Sequence, residues 1–148
     1  MLAHYIGPVK HTVVDKYEHA QNVLNVDVVE YKPATCFDLI LSISTLEHVG
    51  YDESQKDPQK FVKAIEHLLT LLSPNGTMLI TLPLGHNPQV DQYLTNPHPC
   101  CDEVHFMKRV TKSNKWVECS WNDVKDAKYG TPFPMANGIA ISIFKQGK

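Results

Sequence analysis

The sequence predicts an α/β fold with a mostly parallel sheet and an antiparallel C-terminal strand. Three observations carry this. Short β-branched runs recur early, in HTVVD from His11, VLNVDVVEY from Val23 and FDLILSI from Phe37. A single amphipathic segment then separates the third run from TMLITL at Thr77 to Leu82. Finally, IAISIFK from Ile139 to Lys145 reads as a strong closing strand.

The elements follow in order. His11 to Asp15 is a short strand ending in an acid, and Val23 to Tyr31 is a second strand candidate. Lys32-Pro33-Ala34-Thr35 breaks the chain. In the third run Phe37, Leu39, Leu41 and Ile43 share one apolar face, with Ile40 behind it, which predicts a mostly buried strand inside a parallel sheet. Asp57-Pro58 opens a helix, Asp57 capping and Pro58 in the first turn. Phe61, Ile65, Leu68, Leu69 and Leu72 form its apolar face, and Ser73-Pro74-Asn75-Gly76 stops it. Beyond Gly85 the pattern is less regular. It allows a helical turn at Val90 to Leu94, strands at Val104 to Val110 and Lys115 to Trp121, and a helix from Trp121 to Tyr129.

The chain has 148 residues, enough for one domain with its own core. A net charge of −2 gives no general attraction to nucleic acid or an anionic membrane. No apolar run approaches the roughly 20 residues that span a bilayer, and MLAHYIGPVKH carries no secretory h-region. The four cysteines, Cys36, Cys100, Cys101 and Cys119, form no evenly spaced framework and fit a reducing cytoplasm.

Ligands of open α/β sheets bind beyond the carboxyl ends of the strands. Asp15 follows Val13-Val14, Asp27 lies in or ends the second strand, and Ser44-Thr45 follow Ile43. An acid after an early strand of a nucleotide-binding unit can accept both ribose hydroxyls. Alternatively Asp15 caps a turn or pairs with Lys16.

The stretches HTVVDKYEHAQNVLNVDVVEY, FDLILSISTLEHVGYDE and LLSPNGTMLITLPLG together resemble the class I S-adenosylmethionine-dependent methyltransferases, a Rossmann-like fold. The likeness covers Thr12 to Gly85 well and the remainder loosely. It implies methyl transfer from S-adenosylmethionine to a small-molecule, glycan or protein acceptor. By that resemblance Asp15 matches the ribose-binding acid, and Asp27 with Val28 matches the segment near the adenine. Ser44, Thr45 and Leu46 match the segment facing the methionine end of the cofactor, and Ile139 to Lys145 the antiparallel last strand.

The sequence departs from that family at its front. The family's first strand and glycine-rich loop have no counterpart in MLAHYIGPVK, where Gly7 stands alone before Pro8. The expectation is therefore a domain starting just after that motif, with Met1 an internal methionine of a longer protein. Strands lie about 4.8 Å apart, so a missing central strand leaves a gap of roughly twice that. Three resolutions stay open: a longer natural chain, a sideways shift of the Asp15 strand onto the Phe37 strand, or another segment in the slot. Cofactor binding would then be impaired, and exposed strand edges would favour a homo-oligomer. The alternative function is a non-catalytic Rossmann-like remnant or interaction domain. A nicotinamide-binding domain would need the same absent glycine loop.

Glu47 and His48 are the candidates for general-base chemistry, against a plain polar turn opening a helix. Tyr51, Asp52, His86 and Asn87 are candidates for the substrate mouth, against ordinary turn chemistry. PHPCCDEVH, with His98, Cys100, Cys101 and His105, offers one cluster with adjacent cysteines, a poor zinc pattern, so no metal site is assigned. Trp116 and Trp121, with Phe106 and Met107, read as late-sheet core because no basic stripe accompanies them.

Overall fold

The computed structural model describes residue 7 and residues 9–147. Expectations resting on Met1 and on Pro8 lie outside those residues. The chain divides into two compact units, one up to Pro33 and one from Ala34 onward.

In the first unit, strands β1 (Val13–Val14) and β2 (Val23–Leu24) pair in parallel, Val13 opposite Val23 and Val14 opposite Leu24. Both are shorter than the runs that suggested them. Asp15 ends β1 by folding the chain back on itself: its Oδ1 accepts the backbone N–H groups of Tyr17 and Glu18, each at 2.8 Å. Asn25 then donates to the carbonyls of Asp15 and Glu18 at 3.0 and 2.8 Å, tying the end of β2 to that turn. The strand expected through Tyr31 stops at Leu24, so Asp27 stands in the loop beyond it.

The second unit holds a five-stranded mixed sheet. Its strands are β3 (Phe37–Ile43), β4 (Leu72–Pro83), β5 (Cys101–Arg109), β6 (Trp116–Cys119) and β7 (Gly138–Lys145), in the order β3-β4-β7-β5-β6. β3 and β4 run parallel, and every later pairing is antiparallel. The parallel character expected of the first half is thus found at β1–β2 and β3–β4. The closing strand is antiparallel, as the resemblance implies.

Helix α1 (Lys60–Thr70) crosses between the two parallel strands. Its expected cap differs: Asp57 Oδ1 accepts from Gln59 N at 2.9 Å and its carbonyl from Lys60 N at 3.0 Å, so Asp57 fixes the turn ahead of the helix. Phe61, Ala64, Ile65 and Leu68 are buried against the sheet, at the spacing of one helical face. Met78, Ile80 and Leu82 alternate inward along β4, joined by Ala140 and Phe144 of β7. Each large side chain buried here contributes about 1.5–3 kcal/mol. Ser73-Pro74-Asn75-Gly76 does not end the run as a separate turn. It lies within β4 as an irregularity, where the register against β3 shifts between Phe37 and Leu39.

The interior position expected for β3 is not observed. β3 ends the strand order, and Leu39 and Ile43 are 44% and 55% exposed. Helix α2 (Pro88–Thr95) follows β4. Helix α3 (Trp121–Val124) is only one turn of the segment expected to be helical to Tyr129. The Trp121 ring packs 5.3 Å from Phe106, but Phe106, Met107, Trp116 and Trp121 are only half-buried, so the late-sheet core expected of them is not observed. Among the described residues no helix is long and apolar enough to cross a membrane.

Candidate functional site

Because β3 and β4 are parallel neighbours, the segments leaving their carboxyl ends emerge side by side. Past β3, Ser44 takes a left-handed conformation (φ 48°), and its N–H donates to the Thr81 carbonyl and hydroxyl at 3.1 and 2.9 Å. A single 3₁₀ turn follows, Leu46–His48. Gly50 then reverses the chain at φ 74°, where a Cβ would lie 2.3 Å from the Asp57 carbonyl oxygen. The turn directs Leu46 and Glu47 inward and His48 outward. Ser44 and Thr45 are exposed, whereas Leu46 is core.

Past β4, Gly85 adopts φ 73°, and a Cβ there would sit 2.4 Å from the Ala127 carbonyl oxygen. This close approach lays the segment containing Tyr129 over His86, with rings 4.8 Å apart. The His86 ring also meets His48 at 5.0 Å and Tyr51 at 5.7 Å.

His48 Nδ1 donates to Asp52 Oδ2 in a short hydrogen bond, the i, i+4 spacing placing both on one face. His48 Nε2 faces Glu47 Oε1 at 3.6 Å, and His86 Nε2 lies 3.8 Å from Asp52 Oδ2. The hydrogen bond from His48 holds the Asp52 carboxyl below its usual range. Glu47 is 1% exposed, and burial pushes its carboxyl up to about 7. Among the described residues its Oε2 has no hydrogen-bond partner, nor has His86 Nε2.

Asn87 has a different position from the other mouth candidates. It is buried, caps α2 by accepting from Gln89 N at 2.9 Å, and donates to the Glu47 carbonyl at 2.7 Å. It therefore clamps the two loops together. A cavity of about 150 Å³ adjoins it, lined by Tyr51, Lys56, Phe61 and Gln89 among others. That is smaller than the roughly 300 Å³ at which drug-sized ligand pockets begin, so it suits a few heavy atoms and not a nucleoside.

The structure thus gathers Glu47, His48, Tyr51, Asp52, His86 and Asn87 at two neighbouring strand ends. Tyr129 completes the group and had no sequence signal, since it arrives through the contact at Gly85. In the first unit, Asp15 uses Oδ1 for its turn and keeps Oδ2 without a hydrogen bond among the described residues. Asp27 pairs with Lys16 at 2.8 Å and accepts from Val29 N at 3.2 Å, and Val28 is half-buried in the turn that follows.

No family model matches the sequence, and the comparison with curated proteins gives no match. Among solved structures, the N-methyltransferase NodS from Bradyrhizobium japonicum WM9, in complex with S-adenosyl-L-homocysteine, aligns with a TM-score of 0.56 at 13% identity. That alignment covers 93% of this chain and 66% of that one. A second structure of the same enzyme aligns at TM-score 0.45 and 14% identity, over 87% of this chain and 62% of that one. The chain thus spans just under two thirds of the length of the structures it matches. At this identity the likeness shows the fold alone, a mixed α/β Rossmann-like arrangement similar to that of NodS.

Proposed function

We propose that the chain is an S-adenosylmethionine-dependent methyltransferase domain, whose acceptor meets the polar group beyond β3 and β4. The observation that carries the reading is the gathering of His48, Asp52, His86 and Tyr51 at the carboxyl ends of two parallel strands, in a fold shared with NodS. By the resemblance, Asp15, Asp27, Val28, Ser44 and Thr45 are the residues that would hold the cofactor, without the glycine-rich loop of the family. Asp15 keeps one carboxylate oxygen for a ribose hydroxyl, and Ser44 and Thr45 are exposed just past a strand end. Asp27 and Val28 stand after β2, where the resemblance puts the adenine side.

When bound, the cofactor supplies a methyl group on a sulfonium, which an acceptor lone pair attacks as the carbon–sulfur bond breaks. The protein's share is alignment and exclusion of water. The aromatic rings around His86 form a fixed wall, and the Asn87 clamp holds the two loops in register. His48 is exposed at the same strand ends, with the buried Glu47 carboxylate 3.6 Å behind its Nε2. The acceptor class is a small molecule, glycan or protein, and the exposed edge of β3 supports self-association.

Labelled methyl transfer tests this. The chain is incubated with methyl-labelled S-adenosylmethionine and separated small-molecule, glycan and protein fractions. Label entering one fraction above a heat-inactivated control supports the reading. Absence of label from all three contradicts it.

A further inference from the structure

We propose that His48, Asp52 and His86 bind a divalent first-row transition-metal ion. Their donor atoms all lie within 4.8 Å of one another. Ligands around a zinc-sized ion at about 2.0–2.2 Å stand roughly 3.0–3.6 Å apart, so closure needs side-chain shifts of about 1 Å. His48 and Asp52 are half-exposed and free to make them.

Three features separate this trio from an ordinary surface ion pair. His86 Nε2 is buried, has no hydrogen bond among the described residues and is aimed toward Asp52 Oδ2 at 3.8 Å. Its ring is held from three sides by His48, Tyr51 and Tyr129, so the donor is positioned before any ion arrives. On the far side of His48, Nε2 faces the carboxylate of Glu47, itself fully buried with one oxygen unpartnered. An imidazole that ligates through one nitrogen and presents the other to a carboxylate is the usual outer-shell arrangement of metal-binding histidines.

The donor set fixes the class of ion. Two imidazoles and one carboxylate favour Zn, Mn, Fe, Co or Ni over Mg or Ca, which prefer all-oxygen shells. Three protein ligands leave positions open to water or an acceptor atom, as in catalytic rather than structural sites. His48 then serves as a ligand and not as a base. The trio is assembled from two strand-end loops far apart in sequence, so no spacing motif announces it.

The test uses the full chain stripped with a chelator and no added S-adenosylmethionine, so its outcome is separate from that of the methyltransferase reading. Zinc is titrated calorimetrically, and elemental analysis gives the stoichiometry. Circular dichroism confirms that Asp52→Ala and His86→Ala are folded. One zinc per wild-type chain, bound at least about tenfold more weakly by each variant, is expected. Asp52→Ala alone suffices if His86→Ala does not fold. Wild-type uptake well below one ion, or variants that bind as wild type does, overturns the proposal. The second result would place the zinc elsewhere, as at the Cys100–Cys101 segment.

Discussion

Asn87 shows how one side chain can decide whether two loops form one site. The sequence makes it a mouth candidate because Gly, His and Asn fit both a turn and a binding loop. Its burial, its cap on α2 and its hydrogen bond to the Glu47 carbonyl make it a clamp between the loops as well as a neighbour of the cavity. Asn87→Ala removes a helix cap and leaves the Glu47 carbonyl unpaired, so it should destabilise the fold by about 2 kcal/mol. Urea denaturation checks this, and an unchanged midpoint would refute the clamp. Asp123 gives a residue-scale pH effect. The Ser120 hydroxyl and then its N–H hold the Asp123 carboxyl below the ordinary aspartate value. A depressed carboxyl contributes stability above its unfolded value, and that contribution fades as pH falls through the lower folded one. The group is exposed, so the direct measurement is its carboxyl titration by NMR. A midpoint below that of an aspartate in an unfolded chain is expected, and one at or above it contradicts the cap.

At the scale of elements, what the sequence revealed depended on whether the signal was local. Helix α1 was legible because its apolar face repeats every turn, and β7 because it is long and β-branched. The runs at Val13 and Val23 overstated their strands, since β-propensity marks a segment that can pair and the partner sets where pairing ends. The same limit explains β3. Its composition reads as interior, yet it closes one end of the sheet with Leu39 and Ile43 exposed. An apolar, unpaired edge is a template for another strand. Replacing both residues with Lys should lower self-association by light scattering at equal concentration without changing the unfolding free energy of the monomer by more than about 1 kcal/mol. Unchanged scattering would mean that this edge does not mediate association.

For the whole molecule, the location of the candidate site followed from a rule about sheets. Its composition did not. Reading residues beyond Ile43 and beyond Leu82 as mouth candidates required only that parallel strands deliver their ends together, and β3 and β4 do so. Tyr129, the orphaned His86 nitrogen and the buried Glu47 arise from contacts between distant segments and leave no periodic trace. The account's central claim is that this fold still takes up the methyl-donor cofactor. Calorimetric titration of S-adenosylhomocysteine into the chain, beside an Asp15→Ala variant, addresses it directly. One binding site per chain, weakened at least about tenfold by the substitution as expected for a lost charge-assisted hydrogen bond, is the predicted result. No detectable binding by the wild-type chain would contradict the account.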